Sequence, residues 1–154
     1  MGKDSVLSRR VVIFTIIAMA MVILPSATSL PTGVTYGQVS DGCNCHSATA
    51  SASVTASIDG VPESYNASET YTLTVSFTGG PGTEGNENVG GFNLLTSAGT
   101  LTSLDSSTQL NSPQDATHAE EGNNQRSWTL EWTAPDDNES NIEFILHTNS
   151  VNGD

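Results

Sequence analysis

Tyr71-Thr72-Leu73-Thr74-Val75-Ser76-Phe77 is the stretch that decides the fold. Apolar side chains at positions 71, 73, 75 and 77 alternate with hydroxyls at 72, 74 and 76. A period of two sends the first set to one face of a strand and the second to the other. The pattern recurs on both sides of it. Ala52, Val54, Ala56 and Ile58 alternate with Ser53, Thr55, Ser57 and Asp59, and Gly60-Val61-Pro62 then turns the chain. Trp128, Leu130 and Trp132 alternate with Thr129 and Glu131; Ile142, Phe144 and Leu146 alternate with Glu143, Ile145 and His147. Residues 91–97 and 100–104 read as a strand pair joined at Ala98-Gly99, residues 79–90 as a Gly- and acid-rich loop, and the polar residues 105–124 as loop. No segment after residue 29 has helical periodicity. Short alternating strands with turn-rich gaps predict an all-β chain, an antiparallel β-sandwich. Trp, Phe, Tyr and Leu buried between two sheets, at ~25 cal/mol per Å² of apolar area, suffice for such a core without a disulfide.

The N-terminus reads differently. Lys3, Arg9 and Arg10 form a positive region ahead of residues 11–24, apolar throughout except Thr15. Pro25 ends that run, and Ala27-Thr28-Ser29 offers a small-x-small cleavage site before Leu30. This is the layout of a secretory signal peptide over residues 1–29, a signal helix ahead of the sandwich. Fourteen residues of helix span about 21 Å, short of the ~30 Å hydrocarbon core, so an uncleaved anchor is the lesser reading. The Arg9-Arg10 pair also resembles a twin-arginine signal. Either route leads out of the cytoplasm. Residues 30–42 are a Pro/Gly/Ser/Thr leader, and residues 43–154 form one domain by size.

Charge excludes some partners. The chain has four Lys and Arg against 17 Asp and Glu; Lys3, Arg9, Arg10 and Asp4 fall in the signal. From Leu30 onward Arg126 faces 16 acids, a net −15. Such a surface repels nucleic acid and anionic lipid. Spread-out acids read as a solvated coat. Calcium is a weaker possibility, because the acidic loops contain no spaced Asp-x-Asp-x-Asp-Gly loop. Asn66-Ala67-Ser68 and Asn138-Glu139-Ser140 are glycosylation acceptors. No Gly-x-Ser-x-Gly, His-Glu-x-x-His or phosphate-cradling Gly-rich loop occurs, so the expectation is a protein that is not an enzyme.

The chemistry lies in Gly42-Cys43-Asn44-Cys45-His46, which holds both cysteines and one of the three histidines. Thiolate and imidazole bind soft metals, and a Cys pair followed at once by His is how haem c is held. Thioethers to Cys43 and Cys45 would fix the porphyrin with His46 as proximal ligand. The single spacer, Asn44, departs from the usual two. Copper or zinc on Cys43, Cys45, His46 and a distant His is the alternative cofactor, and a strained Cys43–Cys45 disulfide or a merely structural motif is the third reading. All three Met residues precede residue 22, so His118 and His147 are the available second ligands. His147 is the better one, on a strand face opposite Phe144 and Leu146; His118 sits in what reads as a polar loop.

The order of these motifs carries a resemblance. The Cys-His motif is followed by Ser64-Tyr65-Asn66-Ala67-Ser68-Glu69-Thr70-Tyr71-Thr72-Leu73-Thr74-Val75 and Gly91-Phe92-Asn93-Leu94. Then come Trp128-Thr129-Leu130-Glu131-Trp132-Thr133-Ala134-Pro135 and Asn149-Ser150-Val151-Asn152-Gly153-Asp154. Residues 42–154 are similar to the Reeler-type domain of microbial surface proteins, the choice-of-anchor V domain. The resemblance implies an immunoglobulin-like β-sandwich outside the cell, often tethered at its C-terminus. It also implies that this chain is a fragment whose last strand and membrane anchor would follow Asp154. The family's Cys-His motif falls on Cys43, Cys45 and His46. Two functions follow as expectations. One is a cell-surface module for extracellular electron transfer or metal binding, with a redox partner. The other is a surface adhesion or recognition domain with its own surface ligand, in which the Cys-His motif is structural.

Overall fold

The computed structural model describes residues 32–34, 51–83, 87–137 and 141–152. The signal peptide, most of the leader, Cys43, Cys45 and His46 lie outside the described residues, as does the second glycosylation acceptor.

Eight strands occur among the described residues: β1 (Val54–Asp59), β2 (Thr70–Gly79), β3 (Gly90–Thr96), β4 (Thr100–Ser103), β5 (Thr108–Ser112), β6 (Asp115–His118), β7 (Ser127–Thr133) and β8 (Phe144–Ser150), with one 3-10 turn at Glu120–Gly122. They form two four-stranded antiparallel sheets, β1-β2-β7-β4 (sheet A) and β5-β6-β3-β8 (sheet B). This is the all-β sandwich that the alternation predicts.

The β2–β7 register shows why. Tyr71 lies opposite Trp132, Leu73 opposite Leu130 and Val75 opposite Trp128, so the apolar positions of both strands share one face. The hydroxyls take the other face, where Thr70 Oγ1 and Thr133 Oγ1 are 2.9 Å apart. Sheet B contributes Phe92, Leu94 and Ala116 to the core, with Phe144 and Leu146 packed against it. Phe92 meets Trp128 with ring centroids 4.8 Å apart, and Phe144 meets Trp132 edge-on at 5.2 Å. Both indoles therefore bridge the sheets. Each also has its N–H partnered, Trp128 with Gly122 O and Trp132 with Ala98 O, both at 2.9 Å.

Two expectations are corrected. Residues 91–97 and 100–104 do not form a hairpin: β3 belongs to sheet B and β4 to sheet A. The chain crosses the sandwich at Ser97-Ala98-Gly99. Gly99 adopts a positive φ of 81° against the Trp132 ring, where a Cβ would overlap the indole nitrogen. Leu101 is buried by pairing with Trp132 instead of with β3. Alternation assigns faces, and it does not name the partner strand. Residues 105–124 are also not all loop, because β5 and β6 lie within them. Their polarity misled because the outward side of sheet B is itself covered, and polar side chains there, such as Thr117 and Gln109, bond to carbonyls of the chain.

Candidate functional site

The covered face lies on β3, β5, β6 and β8. Antiparallel partners share a face, and Asn93 is opposite both Thr117 of β6 and His147 of β8. Thr117 in turn lies opposite Gln109 of β5. On an exposed sheet these residues would be wetted. Here Asn93 is only 2% exposed and Thr117 is fully buried.

Part of the cover is residues 32–34, which lie across this face held by side-chain amides. Gln109 Nε2 donates to Thr32 O. Asn93 Nδ2 and Asn111 Nδ2 donate to Val34 O at 3.2 and 3.4 Å. Gly33 takes a positive φ of 73° directly over Thr117, where a Cβ would overlap Thr117 Oγ1 and approach His118 O. Glycine is required at that close approach.

Asn93 is the hub of the face. Its Nδ2 also donates to Asp115 Oδ1 at 2.6 Å and lies 3.4 Å from Ala116 O. All three kinds of partner are acceptors, which fixes the amide orientation. Its Oδ1 is buried and has no hydrogen-bond partner. Across the strand pair, His147 Nδ1 is buried and unpartnered as well.

His118 lies elsewhere. It is in strand β6 and not in a loop, at its last position. It shares its side with Ala116 and packs on the core: its ring lies 6.5 Å from Phe92 and 6.4 Å from Trp128. The Phe92 N–H donates to His118 Nδ1 at 3.2 Å, just past the point where β3 and β6 stop pairing. The imidazole thus substitutes for a missing ladder carbonyl. Gly91 permits this, because a Cβ there would overlap the imidazole. The contacts of His118 are thus with Gly91, Phe92 and Trp128, and none of them is with His147. Among the described residues, no group of three or more His, Cys, Asp or Glu side chains converges.

Burial holds the His118 imidazole below its ordinary value of 6.5, with the Phe92 carbonyl pulling in the opposite direction. The unfolded chain therefore binds the proton first as pH falls. The stabilisation from neutral His118 is complete above about pH 6.5 and declines as pH drops below it. A His118→Gln variant keeps an acceptor for the Phe92 N–H without a titrating group. Urea midpoints measured from pH 7.5 to 5 are expected to fall less steeply in the variant than in the wild type. Parallel slopes would show that His118 does not couple folding to protons.

The sequence singled out His147 and His118 but missed Asn93, Gln109, Asn111, Asp115 and Thr117. Asn93 breaks an apolar run, Phe92-Asn93-Leu94, at an outward position. That was the available signal, and it reads as a solvent-facing residue unless the cover is known.

No protein-family model matches the chain, and no curated protein does. Among solved structures, the chain is similar to the human F-spondin reeler domain (fragment 2) at 20% identity. The TM-score is 0.41, with 61% of this chain and 76% of that chain covered. Fragment 1 of the same domain matches at 21% identity and a TM-score of 0.41, covering 65% and 76%. The Reelin-N domain of F-spondin matches at 23% identity and a TM-score of 0.40, covering 65% and 72%. The likeness is one of shape alone.

Proposed function

We propose that the chain is an exported, cell-surface β-sandwich module that holds a soft-metal centre through Cys43, Cys45 and His46. The centre is haem c iron or, alternatively, copper or zinc, and His147 completes it. Its task is extracellular electron transfer to a redox partner, or metal binding, with no reaction catalysed by its own residues. Membrane association comes from the signal or an anchor segment.

The observation that carries this reading is the unpartnered, buried Nδ1 of His147 on the face that the leader crosses. An imidazole nitrogen buried without a partner costs about 1–3 kcal/mol, so its retention calls for a use. The chain length allows one. Val34 is hydrogen-bonded to Asn93, the cross-strand neighbour of His147, and Cys43 follows nine residues later. At ~3.3–3.6 Å per residue, Cys43 can lie no more than about 30 Å from Val34. On the other side His46 precedes Ser51 by five residues, a reach of about 17 Å. Ser53 O accepts from Gly80 N, and the neighbouring Gly79 O accepts from Ser150 Oγ at 3.1 Å. Ser150 is three residues along β8 from His147, or about 10 Å. Thiolate and imidazole donors from both places suit copper or zinc, and imidazole suits haem iron, whereas a hard cation would want oxygen.

An absorption spectrum and a metal analysis of the mature chain, exported from a host that attaches haem c, test the proposal. A Soret band that survives acid-acetone extraction identifies covalent haem. One equivalent of copper or zinc without such a band identifies a metal site. Cys45→Ser is expected to abolish loading in either case while leaving the thermal unfolding of the sandwich unchanged. A protein free of both cofactors overturns the proposal and leaves the adhesion reading, with a structural Cys-His motif.

A further inference from the structure

We infer that Asn66 is the attachment site of an N-linked glycan, and that Ser68 is kept at a strained turn position because its hydroxyl completes the acceptor. This rests on export of the chain and on nothing at the Cys-His motif.

Residues 66–68 read Asn-Ala-Ser, an acceptor with no proline at its middle position. All three are exposed, in the connection between β1 and β2. The backbone there is a closed turn. The Glu69 N–H donates to Asn66 O at 3.1 Å, and Ser68, the third residue of the turn, has a φ of 61°. A positive φ at that position is the type II pattern, which favours glycine or asparagine there. Among the described residues only Ser68 and Asn88 take a positive φ without being glycine. Asparagine tolerates that region through its short amide, whereas serine has less reason to enter it. Packing does not call for serine either. The residue is exposed, and its backbone N–H, which donates to Pro135 O at 3.1 Å, is a group that glycine also has. What glycine lacks is the hydroxyl two residues after Asn66, which the acceptor needs.

The Asn66 amide is placed to carry a sugar. Its Nδ2 donates to Glu69 Oε2, which also accepts from Tyr71 Oη at 3.1 Å. Tyr71 Oη in turn accepts from the Asn66 N–H at 2.9 Å. The amide nitrogen has two hydrogens. One serves Glu69, and the other leaves as a proton when Nδ2 bonds to C1 of a sugar carried on a phosphate leaving group. The C1–O bond to that phosphate breaks, and the phosphate carrier departs with the electron pair. Ser68 precedes β2 and Pro135 follows β7, so the bond between them forms only when those two strands pair. The acceptor turn is therefore open in the chain before it folds. In the finished fold the glycan stands in water at the β1–β2 connection, where a bulky polar group displaces no packed side chain.

The test uses the full chain with its own signal, secreted by a host whose export pathway transfers N-glycans. An amidase that releases N-glycans in heavy-oxygen water turns a glycosylated asparagine into labelled aspartate, and peptide mass mapping reads the label at Asn66. The wild type is expected to carry it. Asn66→Gln and Ser68→Ala are expected to lose the glycan, and Ser68→Thr, which keeps a hydroxyl, to retain it. Ser68→Gly separates the acceptor from the fold. It is expected to lose the glycan and, with both proteins made in a host that lacks the pathway, to unfold at higher urea than the wild type. Secreted wild type without the label at Asn66 overturns the inference. A Ser68→Gly protein that unfolds at lower urea overturns the role given to Ser68, because its hydroxyl then serves the fold. A chain retained in the cytoplasm overturns the export reading instead, and exchange of residues 1–29 for the host's own signal then decides glycosylation at Asn66.

Discussion

An Arg126→Met variant is expected to unfold with about 3 kcal/mol less free energy than the wild type. Arg126 is the single basic residue after the signal, among 16 acids. A salt bridge would be the obvious use for it. Instead its guanidinium clamps backbone carbonyls: Nε donates to Val89 O at 3.2 Å, one terminal nitrogen to Gly79 O at 2.8 Å, and the other to Pro81 O and Val151 O at 2.8 and 3.2 Å. The guanidinium carbon also lies 5.4 Å from the centre of the Phe77 ring. These bonds join the end of β2, the loop after it, the approach to β3 and the end of β8. Charge-assisted bonds are worth roughly 1.5–3 kcal/mol each, but the exposed carbonyls regain water when the clamp is removed, so the sum falls well short of four times that. Lysine is a poor substitute, since one ammonium cannot serve four separated carbonyls as a planar fork does. We expect Arg126→Lys to recover less than half of the loss. Urea unfolding at low and high salt checks the cause. A contact-range clamp keeps its deficit at 1 M salt, whereas relief of the acidic surface's self-repulsion is screened. A deficit that vanishes at high salt would show that Arg126 acts as a distant counter-charge.

The faces of the strands were legible in the sequence, while the pairing of the strands was not. Leu73, Val75 and Phe77, together with Trp128, Leu130 and Trp132, name the core of sheet A, and the structure buries them there with Tyr71 half-buried against them. Period-two alternation is a local property and survives any choice of neighbour. Which neighbour is chosen depends on distant surfaces. Leu101 pairs with Trp132 inside sheet A because the chain crosses over from sheet B at Gly99, and no local pattern distinguishes that from a hairpin turn. Strands β5 and β6 were hidden for a related reason. Thr117 and Asn93 are polar yet buried beneath a cover that residues 32–34 help to form.

The site divides along the same line. His147 is outward on β8, as its spacing from Phe144 and Leu146 indicates, and the register with Asn93 places it. His118 reads in sequence as a solvated loop residue with Glu120 and Glu121 beside it. In the fold it supplies a ladder acceptor to Phe92, and burial, not the acids, governs its proton. Asn93 shows in the sequence only as a polar break in an apolar run, which reads as solvent-facing. Its role comes from three acceptors in Asp115, Ala116 and Val34, and chain separations of 22, 23 and 59 residues hold no local signal.

Trp132→Ala is expected to cost about 3–5 kcal/mol, the range for removing a large aromatic from a packed core. The side chain is 1% exposed. It meets Tyr71 at 5.8 Å within sheet A, Tyr65 edge-on at 5.7 Å from the loop before β2, and Phe144 edge-on at 5.2 Å from sheet B. Truncation therefore opens a void that touches both sheets and a loop, and no single element can move in to fill it. The indole N–H is a smaller part of the loss. Its acceptor, Ala98 O, also receives Thr96 Oγ1 at 2.7 Å, so removing the indole leaves that carbonyl partnered. Trp132→Phe, which keeps most of the ring area and loses the N–H, should consequently cost less than half as much as Trp132→Ala. A double-mutant cycle with Phe144→Ala tests whether the indole couples the sheets. The edge-to-face pair predicts a coupling of about 0.5–1.5 kcal/mol beyond area. Chemical unfolding of the four proteins measures it. Strict additivity would mean that each ring packs against its own sheet and that the sandwich is joined elsewhere, around Trp128 and Phe92.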